Sequence, residues 1–317
     1  MQPNPRYVVV SPCRDEAKFM RRTLDSVAAQ TIRPALWVVV DDGSKDDTPR
    51  ILEEYARRLP WLRVIRRDDR GRRYVGAGVM DAFYAGLETV ELGQFEYVCK
   101  LDMDLDLPPR YFETLIRRME AEPRLGATSG KPYFPHPRTG VLTPEKVGDE
   151  NAVGASKFYR TTCFQEIGGF VRNLMWDAID CHRTRMLGWI VESVDAEDLR
   201  FLHLRPMGSS HKGILHGKAR DGHHHWVLGS WPPFALAACA SRVFTYPMLT
   251  GSLAMLWGYL SSAAKRTPRY ENPEFRRFLR RYQRASLVMG KRAATQKMTD
   301  ECAERWYATH GRSRATG

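Results

Sequence analysis

Asp102-Met103-Asp104 follows an apolar run, Tyr97–Leu101, that reads as a strand. In an extended segment, residues two apart point to the same side, so both carboxylates can face one ligand. Mg²⁺ and Mn²⁺ favour oxygen ligands and commonly bridge one or two carboxylates to phosphate oxygens. A nucleoside diphosphate leaves readily only when its developing charge is neutralised, which a metal does directly. Alone, the pair is weak evidence and is better explained as a loop with solvated acids. A second acidic tip shifts the balance. Asp41-Asp42-Gly43-Ser44 ends the strand-like Leu36–Val40, where a carboxylate can accept hydrogen bonds from a base or ribose. Turn and N-cap chemistry favours the same residues. Both uses can coexist, with Asp42 towards a ligand and Ser44 or Asp46-Asp47 starting a helix.

The elements that must position these acids alternate between apolar runs and helical periods, which predicts a parallel α/β sheet. Tyr7–Ser11, Leu36–Val40, Leu62–Arg66 and Tyr97–Leu101 read as strands. Asp15–Ala29, Thr48–Leu59, Val79–Thr89 and Pro108–Glu120 read as helices, with Phe19, Leu24 and Val27 as core candidates. The acids therefore stand where strands stop, and open α/β sheets bind ligands at the carboxyl ends of their strands. Tyr133 to Glu150 reads as a Pro/Gly-rich loop on the acceptor side. Gly208 to His225 reads as a mobile loop rich in histidine. The expected division is a catalytic domain over 1–230 and a helical region over 231–317.

The chain of 317 residues is long enough to bury a full core. Its formal charge of +12 fits nucleic acid, an anionic membrane or phosphorylated substrates, and composition does not choose among them. Nucleic acid is not expected, because no binding motif is present. Cys13, Cys99, Cys163, Cys181, Cys239 and Cys302 form no CxxC pair and read as buried free thiols of a reducing compartment. The short polar start before Tyr7 contains no secretion leader, so a cytoplasmic place of work is expected.

With those residues set out, the chain resembles a known family. VVVSPCRDEAKFMRRTLDSVAAQT followed by WVVVDDGSKDDTPRIL resembles the opening of the family 2 glycosyltransferases. YVCKLDMDLDLPPRYFETL resembles their Asp-x-Asp region, and IGGF with WDAIDCHRTRMLGW their acceptor and general-base region. The resemblance implies a GT-A fold, with a mostly parallel central sheet flanked by helices. It also implies a nucleotide-sugar donor (UDP first), a saccharide or lipid-linked acceptor, Mn²⁺ or Mg²⁺, and inversion at the anomeric carbon. Position by position, it puts Pro12, Arg14, Glu16, Asp41, Asp42, Arg73, Asp102, Met103 and Asp104 at the nucleotide-sugar. Asp104, with Asp102 and His203, would hold the metal, although a lone histidine is also a common structural residue. Asp177 matches the general base, just before the helix containing Arg183, and Asp180 is its rival one turn on. Trp176 stands where an acid is commoner, which bears on acceptor binding; it would stack on a sugar or pack in the core. Gly154 and Ala155 match the acceptor-pocket segment. Arg205, Lys212 and Lys218 would screen the diphosphate. His223-His224-His225 cannot all turn to one ion and read as loop histidines.

Two features of the last third bear on membranes. Val243 to Ala264 carries no formal charge, which permits a span of about 20 residues, but Pro247 and several Gly, Ser and Thr make an interfacial or re-entrant hairpin as good a reading. Phe275, Leu279, Tyr282 and Met289 recur at helical spacing between arginines, as in a basic helix on an anionic membrane surface or a helix packed with its basic face in solvent. Among rivals, a nucleotidyltransferase would need a Gly-rich loop where Ser11-Pro12-Cys13-Arg14 stands. An inactive binding protein would have lost the acids, which are present.

Overall fold

Runs of β-branched residues buried on both faces form central strands. Val8–Val10 and Val38–Val40 are such runs, with every side chain fully buried. In the computed structural model, the described residues are 5–69, 71, 76–135, 139–145, 147–205, 214–244 and 246–311. Two compact units result, Met1–Arg172 with Trp189–Met207, and Asn173–Gly188 with Gly208–Gly317.

The first unit begins β1 (Tyr7–Cys13), α1 (Met20–Ala28), β2 (Leu36–Asp41), α2 (Thr48–Arg58), β3 (Leu62–Arg66), α3 (Ala77–Leu87) and β4 (Tyr97–Leu101). It continues with β5 (Leu105–Asp106), α4 (Tyr111–Ala121), β6 (Leu125–Pro135), β7 (Leu142–Pro144), β8 (Ser156–Arg160) and α5 (Thr161–Glu166). After α6 (Trp176–Met186), which belongs to the second unit, come β9 (Ile190–Val194) and β10 (Arg200–His203). The sheet order is β3-β2-β1-β4-β8-β6-β10-β5, with β7 and β9 also on β6. Strands β3, β2, β1 and β4 are parallel. Beyond them the sheet is mixed, because β8 enters antiparallel between β4 and β6 while β9 and β10 run parallel to β6. Tyr7, Phe112 and Phe158 pack under this junction, with Tyr7 ring centroids 4.9 and 5.7 Å from the other two.

Three sequence expectations are corrected. Helix α1 starts at Met20 rather than Asp15. Asp15 sits at φ +54°, and its carboxylate accepts from the Lys45 amide at 2.7 Å, so the chain turns once more before it can coil. The Pro/Gly-rich stretch contributes real strand, since β6 runs to Pro135 and pairs with β7 as a hairpin. The histidine-rich stretch is helical from Ile214 onward; residues 206–213, Lys212 among them, lie outside the described residues.

The second unit joins α6 to α7 (Ile214–Leu228), α8 (Pro232–Ala240), α9 (Met248–Ala264), α10 (Pro273–Met289), α11 (Lys291–Glu301) and α12 (Ala303–His310). Gly and His are weak helix formers, so α7 owes its helicity to packing. A Cβ on Gly222 would stand 1.8 Å from the Met255 carbonyl oxygen, and one on Gly258 1.8 Å from that of Ala219. Helices α7 and α9 thus touch backbone to backbone. Helix α10 is capped by Asn272, whose side chain accepts from the Phe275 amide at 2.9 Å. Phe275, Leu279 and Tyr282 are buried, with His182 of α6 5.0 Å from the Tyr282 ring. Its apolar side is therefore turned into the protein, while Met289 is exposed. Among the described residues, no helix is long and apolar enough to cross a membrane. All six cysteines are free, five of them buried.

Burial favours the neutral form of three α7 histidines, His223, His224 and His225. His223 and His224 are pushed down, and His225 falls to about 4, through burial first and then the charges of Arg242 and Lys291. An unfolded His225 takes up its proton near 6.5, so the unfolded state binds more protons between pH 6.5 and 4. Its contribution is intact above pH 6.5 and lost progressively as pH falls towards 4, on the order of 3 kcal/mol. Thermal melts from pH 7.5 to 4.5 should show this fall, and His225→Gln should flatten it; equal slopes in the two proteins would contradict it.

Candidate functional site

The parallel register sets Cys13 against Asp41, and the Asp42 amide donates to the Cys13 carbonyl at 2.9 Å. Residues following β1 are thereby laid beside those following β2. Asp41 is the turn-former: its Oδ1 accepts from the Ser44 amide at 2.9 Å, and its Oδ2 lies 3.7 Å from Arg66 Nε. Asp42 faces the other way, with Oδ1 accepting from Arg67 Nη1 at 2.9 Å. Arg14 is buried, donating to the Asp42 carbonyl at 3.0 Å and to Asp69 Oδ1 at 2.6 Å. Lys45 Nζ approaches Asp69 Oδ2 at 2.9 Å, and with the Gly71 amide and Arg14 it holds that carboxyl well below its usual range. Gly43 is required here: φ is +74°, and a Cβ would meet Asp69 Cα at 2.5 Å. A cavity of about 350 Å³, lined by Gly43–Lys45 and Arg66–Asp69, opens at this edge. Pro12 lies within β1, in register with Val40.

Beyond β4 the chain bends, so Asp102 and Asp104 do not share an extended strand as expected. Met103 is buried in the core. Asp102 lies beside Lys100, whose Nζ donates to Asp102 Oδ1 at 2.5 Å and to the Gly154 carbonyl at 2.9 Å. The Asp102 amide donates to the Ala155 carbonyl at 2.8 Å. The Gly154-Ala155 segment therefore abuts Asp102.

Asp104 is buried among groups brought by β10. Pairing of His203 with Leu105 places His203 Nε2 3.7 Å from Asp104 Oδ1, and Arg205 Nε stands 3.3 Å from Asp104 Oδ2. Arg205 also binds the Glu16 carboxylate, and its guanidinium lies 5.4 Å from the Phe19 ring centroid. Arg205 thus bridges the turn after β1 and the bend after β4. Burial first, and then the charge of Asp102, push the Asp104 carboxyl above its usual range despite His203 and Arg205. Burial thus disfavours the ionised form of Asp104, and the like charge of Asp102 adds to that.

Sequence reasoning missed Glu145. Its side chain is buried just past β7, with Oε1 3.2 Å from His203 Nδ1. Burial opposes a charged imidazole, but the hydrogen bond to Glu145 and the charges of Asp104, Glu145 and Asp102 outweigh it and raise the His203 pKa. Nothing periodic surrounds Glu145 in the sequence. Lys100 was missed as well, although the sequence carries its signal: a lone cation inside the strand Tyr97–Leu101 must find a carboxylate.

Carboxylates and an imidazole suit Mn²⁺ or Mg²⁺, and the raised Asp104 pKa fits a place that favours a cation. Among the described residues, no three His, Cys, Asp or Glu side chains are gathered closely enough to hold an ion alone. Asp104 and His203 with Asp102 alongside therefore suit a cation whose other ligands are phosphate oxygens or water. Arg73, with Arg72, lies outside the described residues.

Asp177, Asp180 and Trp176 belong to the second unit. Helix α6 already begins at Trp176, so Asp177 lies in its first turn rather than before it, at the positive end of the helix dipole. Asp177 is half-buried, whereas Asp180 is 1% exposed and accepts from the Cys181 amide at 2.8 Å. Trp176 is buried, with little ring face left for a sugar. Lys218, on α7, lies 3.9 Å from Asp221.

The sequence profile described as Glycosyl transferase family 2 matches residues 8–168. A curated relative, the glucosyl-dolichyl phosphate glucuronosyltransferase of Haloferax volcanii, is 24% identical over 183 residues, covering 52% of this chain and 55% of that protein. The chain thus matches about half the length of that relative, and other curated matches are shorter still. The mannosyltransferase PcManGT from Pyrobaculum calidifontis, in complex with GDP-Man and Mn²⁺, superposes with a TM-score of 0.52 at 19% identity, over 98% of this chain and 89% of that one. Residues 1–349 of S. aureus TarS superpose at 0.50 and 14% identity, over 98% and 93%. These likenesses establish the fold.

A ligating histidine held by a carboxylate binds metal about 10–100-fold more tightly than one that is not. Glu145→Gln should therefore weaken Mn²⁺ binding, measured by electron paramagnetic resonance titration with a nucleoside diphosphate present, by about tenfold or more. Unchanged affinity would remove Glu145 from the site.

Proposed function

The chain belongs to glycosyl transferase family 2 and has the GT-A fold, and on that premise we propose that it moves a sugar, with inversion, from a nucleotide-sugar to an acceptor hydroxyl. The observation that carries this reading is the convergence of Glu16, Asp102, Asp104, His203 and Arg205 at the strand ends of the first unit. UDP is the first choice of nucleotide, with GDP next. The base and ribose suit the cavity beside Asp42, whose carboxylate can accept their hydrogen bonds, with Asp41 shaping the turn beneath. Pro12, Arg14 and Glu16 would complete that wall.

Asp104 and His203, with Asp102, would hold Mn²⁺ or Mg²⁺. Bound there, the ion would neutralise the charge developing on the departing diphosphate. Arg205 pairs with both Glu16 and Asp104, so it is placed to meet an incoming diphosphate as well. Gly154 and Ala155 line the acceptor side next to Asp102. The acceptor oxygen attacks the anomeric carbon opposite the leaving oxygen, the new glycosidic bond forms as the old one breaks, and a carboxylate takes the hydroxyl proton. Asp177 is that base: it is partly open, whereas burial closes Asp180 to an acceptor.

A saccharide or lipid-linked acceptor at the cytoplasmic face of a membrane, in cell-surface polysaccharide or glycolipid synthesis, completes the reading. The relative named for a dolichyl phosphate-linked sugar supports it, as does the chain's charge of +12.

Nucleoside diphosphates should raise the melting temperature in a Mn²⁺-dependent way, and Asp104→Ala should lose most of that rise. Asp177→Asn should keep the rise while transfer falls by about 10²–10⁴-fold; full turnover would place the base elsewhere. Proton NMR of the product should show the inverted anomer, and a retained one would refute the mechanism.

A further inference from the structure

We propose that the outward face of α9 is the docking surface for an anionic lipid bilayer. This deepens the membrane-proximal acceptor reading and rests on it for its purpose only. A helix on a water-soluble protein turns its large apolar side chains inward and its polar ones outward. Helix α9 turns a row of large apolar side chains outward as well. Its inward side is Gly251, Ser252, Met255, Gly258, Tyr259 and Ser262, all buried, with Ser262 Oγ bonded to the Gly258 carbonyl and 2.9 Å from His223 Nδ1. Its outward side is Leu249, Leu253, Trp257 and Leu260, all exposed, with Trp257 at 69%. An inner side of mainly small residues, beside Met255 and Tyr259, with large apolar ones outside is the arrangement of helices that meet lipid. Phe244 (92% exposed) and Tyr246 (78%) extend the row before the helix. With Trp257 they supply aromatic rings of the kind that settle at a headgroup boundary.

Charge selects the occupant. No acidic residue lies between Asp221 and Glu271, whereas Arg242, Lys265, Arg266 and Arg269 do. Lys265 and Arg266 are exposed immediately beyond the apolar row. An apolar stripe with only cations at its ends suits acyl chains flanked by anionic headgroups. At 17 residues, or about 26 Å, and diluted by Gly and Ser, α9 is not a span and is suited to lying in the plane of the interface.

The full chain should co-sediment with vesicles of phosphatidylglycerol and phosphatidylcholine, and far less with phosphatidylcholine alone. Leu253→Ser with Trp257→Ser should weaken partitioning by about 30-fold or more, and Lys265→Gln with Arg266→Gln by about tenfold, with a shallower salt dependence. Unchanged melting curves in both variants would show that only the surface was altered. Emission from the wild type should shift to the blue on vesicles, and Trp257→Phe should lose that shift. No sedimentation of the wild type, or equal sedimentation of the variants, overturns the proposal. So does a homodimer in light scattering that the Leu253/Trp257 change dissolves while vesicle binding persists, since the face then belongs to a second copy. None of these readings needs catalysis. Equal transfer onto a soluble acceptor and a vesicle-borne one would instead retire the membrane-acceptor reading, leaving the docking face standing.

Discussion

Carboxylates cannot be gathered at the ends of buried strands unless cations come with them, and that constraint organises the first unit. Glu16, Asp41, Asp42 and Asp104 are all buried. Removing an anion from water costs several kcal/mol unless it is paired or hydrogen-bonded. Asp42 has Arg67, Asp102 has Lys100, and Glu16 and Asp104 share Arg205. Asp104 keeps a raised pKa, from burial first and the Asp102 charge second, even with His203 and Arg205 beside it.

The sheet exists in a form that makes this gathering possible. Parallel pairing of β1 with β2 and β4 brings successive strand ends to one edge, and antiparallel β5 returns the chain so that His203 of β10 can meet Asp104. A single glycine, Gly43, lets the segment at Asp69 approach closely enough for Asp69 to bind Arg14 and Lys45. The second unit follows a different logic. Close glycine contacts between α7 and α9 leave large apolar side chains outside, and neutral histidines inside the pair tie its stability to pH.

Much of the first unit is readable from residue order. Apolar runs ending in acids mark β2 and β4 closely, because a buried strand leaves an unbroken hydrophobic signature and its loop does not. Several things were beyond reach for physical reasons. The start of α1 depends on Asp15 adopting a left-handed conformation held by Lys45, a contact thirty residues away. Helix α7 forms against its own propensity, because α9 packs directly on Gly222. Glu145 meets His203 only through the β6–β7 hairpin and the return of β10, which no local pattern announces. The sequence makes Asp177 the first choice of base and Asp180, one turn on, its rival. Their difference in burial, with Asp180 at 1% exposure and Asp177 half-buried, follows from packing that the sequence does not announce.

The role of the acidic edge is tested most directly by a crystal structure with Mn²⁺ and UDP or GDP, read from manganese anomalous scattering. The expected peak lies within bonding distance of the Asp104 carboxylate and His203 Nε2, joined to the diphosphate, with Arg205 drawn off Asp104 and the base beside Asp42. A peak held by other residues, or a nucleotide lodged away from Asp42, would contradict it.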